Sequence, residues 1–501
     1  MTISSVGGKP SAAIQSLVDL RSTLDDLQRQ LSTGKKSTTY AGLGVERGMT
    51  VGLRAQLSAI GSFDSVADNV QTRINVAQTS LGRISDLGNS VKTAMMQGSY
   101  GTGAVGANTA QSTAQFSLDE ALGLLNTQAG DHYLFSGRAT DKPAVETYDH
   151  IMNGNGAQAG LKQIISERKQ ADIGTSGLGR LTVTSPTATS VSVAEDAVSP
   201  FGFKLASISS SLTNATVSGP TGTPPAVSVD MSGGIPNAGD TLTMRFSMPD
   251  GTTENLSMTA TTTSPPGPNQ FLIGADGTAT AANLSSAITT SLGTLAATAL
   301  TAASAVQASN EFFSADASTP PPRVTGPGFG SATAMTTGSS ADTVIWYTGE
   351  TGSDSARATA TARIDPTLAV GYGVRGNEQG LRSIVQNLAT LAAVTIAPSN
   401  PNGGDLSSAL NGRLTQNLTG SPGAQTVASI QTDLAGAQVS IKAAQDRHQQ
   451  QTATLSDYLQ QIEGVSNEDV GAQILALQTR LQASMQITSM MYQTSLVNYI
   501  K

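Results

Sequence analysis

The chain is expected to be mainly α-helical with a β-rich insertion. A long, coiled-coil-like helical bundle would be formed by paired N- and C-terminal segments, and a central outer domain of β or α+β type would project from it. Three observations carry this expectation. Heptad-spaced apolar residues fill both ends of the chain. Residues 181–360 differ from those ends in composition and charge. Within that middle part, strict two-residue alternation marks strands.

From the N-terminus, Ala13, Leu17, Leu20, Leu24, Leu27 and Leu31 step by four and three. Gly34 is the expected helix stop, with Lys35 and Lys36 just beyond it. Residues 37–52 are rich in Gly, Ser and Thr and read as an ordered connector or flexible arm. The longest run follows: Ile60, Phe63, Ala67, Val70, Ile74, Ala77, Leu81, Ile84, Gly88, Val91 and Met95. A helix over 53–97 would be roughly 65 Å long. Residues 98–110 form a Gly-rich turn. A third helix places Ala114, Leu118, Leu122 and Leu125 inward and ends near Gly130. Asp131 to Gly137 reads as a short strand between turns, and 157–170 as a weaker helix.

The middle reads as β. From Thr241 to Met248, Leu242, Met244, Phe246 and Met248 alternate with polar residues, and Pro249-Asp250-Gly251 signals a turn. Leu256 and Met258 continue the pattern as a hairpin. Val227, Val229 and Met231 predict another strand, and Val344 to Tyr347 a further one. Residues 214–225, 261–269 and 318–340 read as loops. Residues 277–310 carry no charge, but Leu284, Ile288, Leu292 and Leu295 lie among Ser, Thr and Asn, which predicts an amphipathic surface helix rather than a membrane span.

After Ala362 the helical style returns with Leu381, Ile384, Val385, Leu388 and Leu391, followed by a Pro/Asn/Gly loop over 397–424. The next heptad run is unbroken: Ile430, Leu434, Ala437, Ile441, Ala444, His448, Gln451, Leu455, Tyr458 and Ile462. A break at 463–467 separates it from a last helix with Val470, Ile474, Leu477, Leu481, Met485, Met491, Leu496, Val497 and Ile500 on its apolar face. No such stripe is stable while wet, so the ends must pair. The expected pairing seam is Leu17, Leu20, Leu24, Leu27 and Leu31 with Ile474, Leu477, Leu481, Met485 and Leu496. The expected stalk seam is Ile60, Phe63, Val70, Ile74, Leu81 and Ile84 with Ile430, Leu434, Ile441, Leu455 and Ile462. The domains would be 1–36 with 467–501, 37–180 with 363–466, and 181–362.

Composition narrows the function. Charged residues are 13%, about half the usual share, and aromatics 4%. Such a chain builds thin, Ala-rich helix interfaces better than a deep enzyme core. The net charge of −8 argues against nucleic acid as a partner. Residues 181–360 hold twelve acids against four bases, so the whole excess lies there and the rest is balanced at twenty-four of each. Without cysteine, disulfides and thiolate metal sites are excluded. No apolar stretch follows a basic start, so a Sec-type signal is not expected. His132, His150 and His448 fall on a turn, a loop and a heptad seam, with no partner at metal-ligand spacing. His448 and Gln451 read as a polar layer that sets register. Gly8-Lys9 and Gly34-Lys35 lack the upstream Gly and following Ser or Thr of a phosphate-binding loop. No acid/base or nucleophile motif appears, and neither enzymatic activity nor a cofactor is expected.

Several stretches carry a resemblance. Gln30-Leu31-Ser32-Thr33-Gly34-Lys35-Lys36 resembles the segment that ends the first helix in the flagellin family. Leu118 to Gly137, reading LDEALGLLNTQAGDHYLFSG, is similar to the hook–filament junction members of that family, as are Leu477 to Ser484 and Ser495 to Ile500. The resemblance covers roughly 1–140 and 425–501. Residues 37–50 depart from it, with Tyr40-Ala41-Gly42-Leu43-Gly44 where a Ser-x-Asp-Asp pattern is common, which keeps a filament flagellin as the alternative. The resemblance implies an extracellular structural subunit that leaves the cell unfolded through the flagellar type III exporter, escorted by an export chaperone. It implies an inner coiled coil of termini, a next layer from 53–180 and 363–462, and an outward-facing 181–360. The implied partners are a neighbouring hook-associated protein, flagellin and further copies of the chain in a ring or helical layer, with no membrane insertion. A secreted coiled-coil adhesin is the rival from another class. It would be expected to carry a Sec signal or membrane anchor, and neither is read here.

Overall fold

The computed structural model describes residues 8–97, 109–397, 399–420 and 422–499, with side chains at the helix ends described from Ala12 and up to Gln493. Of the Gly-rich turn expected over 98–110, residues 98–108 lie outside the described residues, as do the seam side chains of Ala13, Leu496, Val497 and Ile500, and 109–110 begin α3. The fold is α+β. Its helices are α1 (Gly8–Thr33), α2 (Arg47–Gln97), α3 (Thr109–Leu125), α4 (Tyr148–Asn153), α5 (Leu161–Ile173), α6 (Gly277–Leu295), α7 (Thr301–Ser314), α8 (Gln379–Ala393), α9 (Gly403–Thr419), α10 (Val427–Glu463) and α11 (Asn467–Tyr499). Two compact units divide the chain: 1–70 with 362–370 and 439–501, and 71–361 with 371–438. The boundaries fall inside α2 and α10.

In both units α2 and α10 run antiparallel, and side-chain amides and carboxylates fix their register. In the first unit His448 Nδ1 lies 2.7 Å from Asp64 Oδ1, and Gln445 donates to Asp68 Oδ1 at 2.7 Å. In the second, Gln438 donates to Asn75 Oδ1 at 2.7 Å and Gln78 to the Gln431 carbonyl at 2.9 Å. Between these rungs lies the apolar seam. Val70, Ile74, Leu81, Ile84, Ile430, Leu434 and Ile441 are buried, as are Ala67, Ala77, Val91 and Met95. Gly88 is part of the seam for a steric reason, since a Cβ there would come within 3.3 Å of Ile384 Cγ2 on α8.

The strands are β1 (Gln128–Ala129), β2 (His132–Tyr133), β3 (Leu181–Thr184), β4 (Ser190–Glu195), β5 (Lys204–Ser210), β6 (Thr216–Thr221), β7 (Ala226–Asp230), β8 (Thr241–Ser247), β9 (Thr253–Thr261), β10 (Gln270–Leu272), β11 (Arg323–Val324), β12 (Met335–Thr336), β13 (Thr361–Asp365) and β14 (Leu368–Gly371). Two four-stranded sheets, ordered β10-β9-β8-β5 and β3-β4-β7-β6, share one core with α6. The alternation read from Leu242 to Met258 is realised as the β8–β9 hairpin, with Ser247 opposite Thr253 and Leu242 opposite Met258. Leu242, Met244, Phe246, Leu256 and Met258 meet Val191, Val193, Val227 and Val229 from the other sheet, and Leu284, Ile288 and Leu292 from α6.

Several local expectations are corrected. Of the two readings of 37–52 the structure has the ordered connector, a 3-10 helix over Tyr40–Glu46, but α2 starts at Arg47 rather than at 53. Residues 403–419 form α9 rather than a loop, because Leu406, Leu410 and Leu414 recur every four residues and are all buried. Residues 216–221 pair as β6 with β7. Val344 to Tyr347 is not a strand. Trp346 and Tyr347 are adjacent and both buried, which alternation forbids, and only an isolated bridge ties Tyr347 to Val145. His150 lies within α4, not on a loop. The 277–310 stretch is amphipathic only in α6. Thr301 to Ser309 in α7 is buried almost all round, its small Ala and Ser side chains letting α5, α8 and α9 close upon it.

That packing places 301–361 with the helices rather than with the sheets. Trp346 donates from Nε1 to the Phe313 carbonyl at 2.9 Å, Tyr347 reaches the Phe135 carbonyl at 3.3 Å, and Arg323 forks onto Glu167. A Gly/Ser linker replacing 181–295 is therefore expected to keep the helical far-UV signal and a cooperative melt. The same linker replacing 181–360 should lose both, because it strips Phe312, Phe313 and Trp346 from the helical core. Equal melts for the two variants would contradict this boundary.

Candidate functional site: the seams of the terminal helices

The expected pairing surface begins where α1 ends. Gly34 adopts φ +66°, a conformation that favours Gly, and turns the chain out of the helix. Lys36 N–H then donates to the Glu463 carbonyl at 2.7 Å, and Val465 N–H donates to the Gly34 carbonyl at 3.1 Å. These two bonds join the end of α1 to the break between α10 and α11. Glu463 is buried there and accepts a bidentate pair from Arg54, at 3.0 Å from Nε and 2.7 Å from Nη2. Lys35 Nζ lies 3.9 Å from the same carboxylate. Ser466 caps the start of α11 by accepting from Asp469 N–H at 3.2 Å.

Beyond this elbow α1 and α11 share a thin seam. Leu27, Val470, Ile474 and Leu477 are buried together, with Leu20, Leu24 and Val465 packed partly against them. Leu17 and Leu481 are half-buried. Leu31 and Met485 do not close into the seam and are 41% and 50% exposed. In α11, Ser484 and Thr488 occupy the half-buried positions after Leu481, which turns Met485 outward. Four buried side chains contribute on the order of 1.5–3 kcal/mol each. Ordering the backbone of two long helices costs roughly 1–2 kcal/mol per residue before their hydrogen bonds are counted. The seam alone therefore leaves the terminal pair marginal. Ile14, Val18, Leu475, Ile487, Met490 and Met491 are also exposed, so both helices present apolar surface away from the seam.

The stalk seam also opens within the first unit. Ile60, Phe63 and Leu455 are only half-buried and line a groove of about 750 Å³ together with Asp365, Pro366 and His448. Ile462 is half-buried, while Gln451 and Tyr458 face out. His448 is 1% exposed and packs against the Phe63 ring at 6.2 Å. Its Nε2 makes no hydrogen bond and lies 3.7 Å from Asp365, whose carboxyl is held below the usual range chiefly by the Thr367 N–H. Of the expected polar layer, His448 alone is inside. Among the described residues no group of three His, Asp or Glu side chains is placed to hold a metal ion, and no helix is long and apolar enough to cross a membrane. The elbow residues Arg54 and Glu463 were not legible in advance, since one lies off the heptad and the other in the break.

No protein-family profile, curated protein or solved structure matches the chain.

The elbow yields a direct test. Arg54 and Lys35 are nearly half exposed, so Glu463→Gln should cost only about 1 kcal/mol. Because that loss falls on one local opening, tryptic cleavage after Lys35 and Lys36 should rise severalfold, while the sites after Lys162 and Lys169 in α5 keep their parental rates. An unchanged rate at Lys35 and Lys36 would show that the elbow is held by its backbone bonds alone.

Proposed function

We propose that this chain is a structural subunit of the bacterial flagellum, an adaptor at the hook–filament junction. The observation that carries the reading is the elbow. The segment that resembles the flagellin family's first-helix end, Gln30 to Lys36, is the segment bonded to Glu463 and Val465 at the break just before the C-terminal helix. Helices from opposite ends of the chain thus share one seam, as the paired, coiled-coil-like termini of that family require. The exposed apolar residues of α1 and α11 supply surface for neighbouring subunits. In this reading the chain is exported unfolded by the flagellar type III system with a chaperone and functions outside the cell. Its neighbours are a hook-associated protein, flagellin and further copies of itself, and it catalyses nothing.

A junction subunit differs from a filament subunit in one physical respect. A filament subunit offers a heterologous contact that repeats without limit, whereas a junction subunit presents different surfaces above and below and stops. Purified protein is therefore expected not to polymerise into long filaments, even when seeded or salted out. Deleting its gene should leave hooks intact while flagellin is shed into the medium. Leu477→Asp should give the same phenotype, because a carboxylate would have to be buried unpaired in the seam, and Leu481→Asp a weaker form of it from a half-buried position. Limited proteolysis of the monomer should trim α1 and the C-terminal half of α11 before 53–450. Micrometre-long filaments grown from this protein alone would favour the filament flagellin reading.

A further inference from the structure

The sequence holds four Asn-Gly pairs, at 153–154, 155–156, 402–403 and 411–412. Such a pair carries its own reaction. With no side chain on the glycine, its backbone nitrogen can reach the Cγ of the preceding asparagine and displace the amide. The attack needs a nitrogen that is not already donating a hydrogen bond, a side chain that is not tied down, and freedom to rotate the backbone between them.

The structure withholds these from three of the pairs. Asn153 Nδ2 donates to Asp149 at 2.6 Å, its Oδ1 accepts from Lys162 at 2.9 Å, and Gly154 N–H donates to the His150 carbonyl at 3.0 Å. Gly403 is buried, and its N–H donates to the Asn400 carbonyl at 3.0 Å. Asn411 is buried in the middle of α9, where the Gly412 N–H belongs to the helix ladder. Rotation there would unwind the helix.

Asn155-Gly156 differs on each count. Asn155 opens a tight turn closed by two bonds at 3.0 Å, from its N–H to the Gln158 carbonyl and from Gln158 N–H to its own carbonyl. Asn155, Gly156 and Ala157 are exposed, and a Cβ on Gly156 would meet nothing within 4 Å. Neither the Asn155 side chain nor the Gly156 N–H has a hydrogen-bond partner among the described residues. Rotating Asn155 to bring Cγ onto that nitrogen opens the turn alone, while Ala159 N–H stays bonded to the Asp342 carbonyl at 2.8 Å. Local opening of this kind costs far less than unfolding.

We propose that Asn155 is a site of self-modification whose only co-reactant is water. The Gly156 nitrogen bonds to Asn155 Cγ, the Cγ–Nδ2 bond breaks, and ammonia leaves with the proton from Gly156. Water then opens the succinimide ring at either carbonyl and leaves aspartate or isoaspartate at 155. Either product adds a negative charge, and isoaspartate also lengthens the backbone within the turn. The inference is independent of the flagellar assignment, since it uses no residue of the terminal seams.

The test is incubation of the full chain at mildly alkaline pH, followed by tryptic digestion and tandem mass spectrometry. Fragment ions from the peptide 139–162 separate Asn153 from Asn155. In the folded chain Asn155 should convert at least about tenfold faster than Asn153, Asn402 or Asn411. In urea the fold no longer discriminates, and the four rates should converge. Asn155→Gln should abolish the fast conversion, and Asn153→Gln should leave it unchanged. Conversion at any other pair as fast as at Asn155 in the folded chain would overturn the proposal. So would an Asn155 that persists in the folded chain while the urea-unfolded chain converts, or the same preference for Asn155 in urea.

Discussion

The structure depends on how α2 and α10 hold register across a seam of small and aliphatic residues. Apolar contacts between such helices are nearly indifferent to a shift of one turn, because Ala67, Ala77, Ala437 and Ala444 offer little shape to lock. The polar rungs remove that indifference. Asp64 with His448, Asp68 with Gln445 and Asn75 with Gln438 are side-chain pairs made in this register. A slip of one turn would separate Asp64 from the buried His448. Only 13% of the chain is charged, so these few contacts carry specificity that other proteins spread over many ion pairs.

The same economy governs the second unit. Its charged residues are concentrated in a few deep pairs, such as Arg168 with Asp172 and Glu311, Arg323 with Glu167, and Arg413 with Asp250. Asp172 is fully buried, and desolvation raises its pKa even though Arg168 and the Gly202 N–H favour the charged form. Such pairs add little net stability, but breaking one leaves a buried charge behind. They join α5 to α7 and tie α9 to the β8–β9 hairpin, which sets where each helix docks.

Much of this was legible in the sequence because it follows a period. The heptads of α2 and α10, and the alternation of β8 and β9, declare which side chains turn inward. What escaped notice lacks a clean period or depends on contact between distant segments. α9 hides Leu406, Leu410 and Leu414 among Gly, Ser and Asn, whose composition reads as a loop. In α7, Ala and Ser are buried on every face, so no stripe exists to detect. Trp346 looks like part of a strand but anchors an irregular segment through its indole N–H. In the site itself, the Gly34 stop and the break at 463–467 were visible, but their bonding to each other was not.

The account therefore turns on whether terminal helices joined at the Gly34–Glu463 elbow serve as the joining element of a flagellum. Immunogold labelling of isolated flagella with antibody to the 181–295 sheets tests this most directly. The account predicts gold confined to a narrow zone where hook meets filament. Label along the whole filament would make the chain a filament subunit, and label on the cell surface without flagella would contradict the assignment altogether.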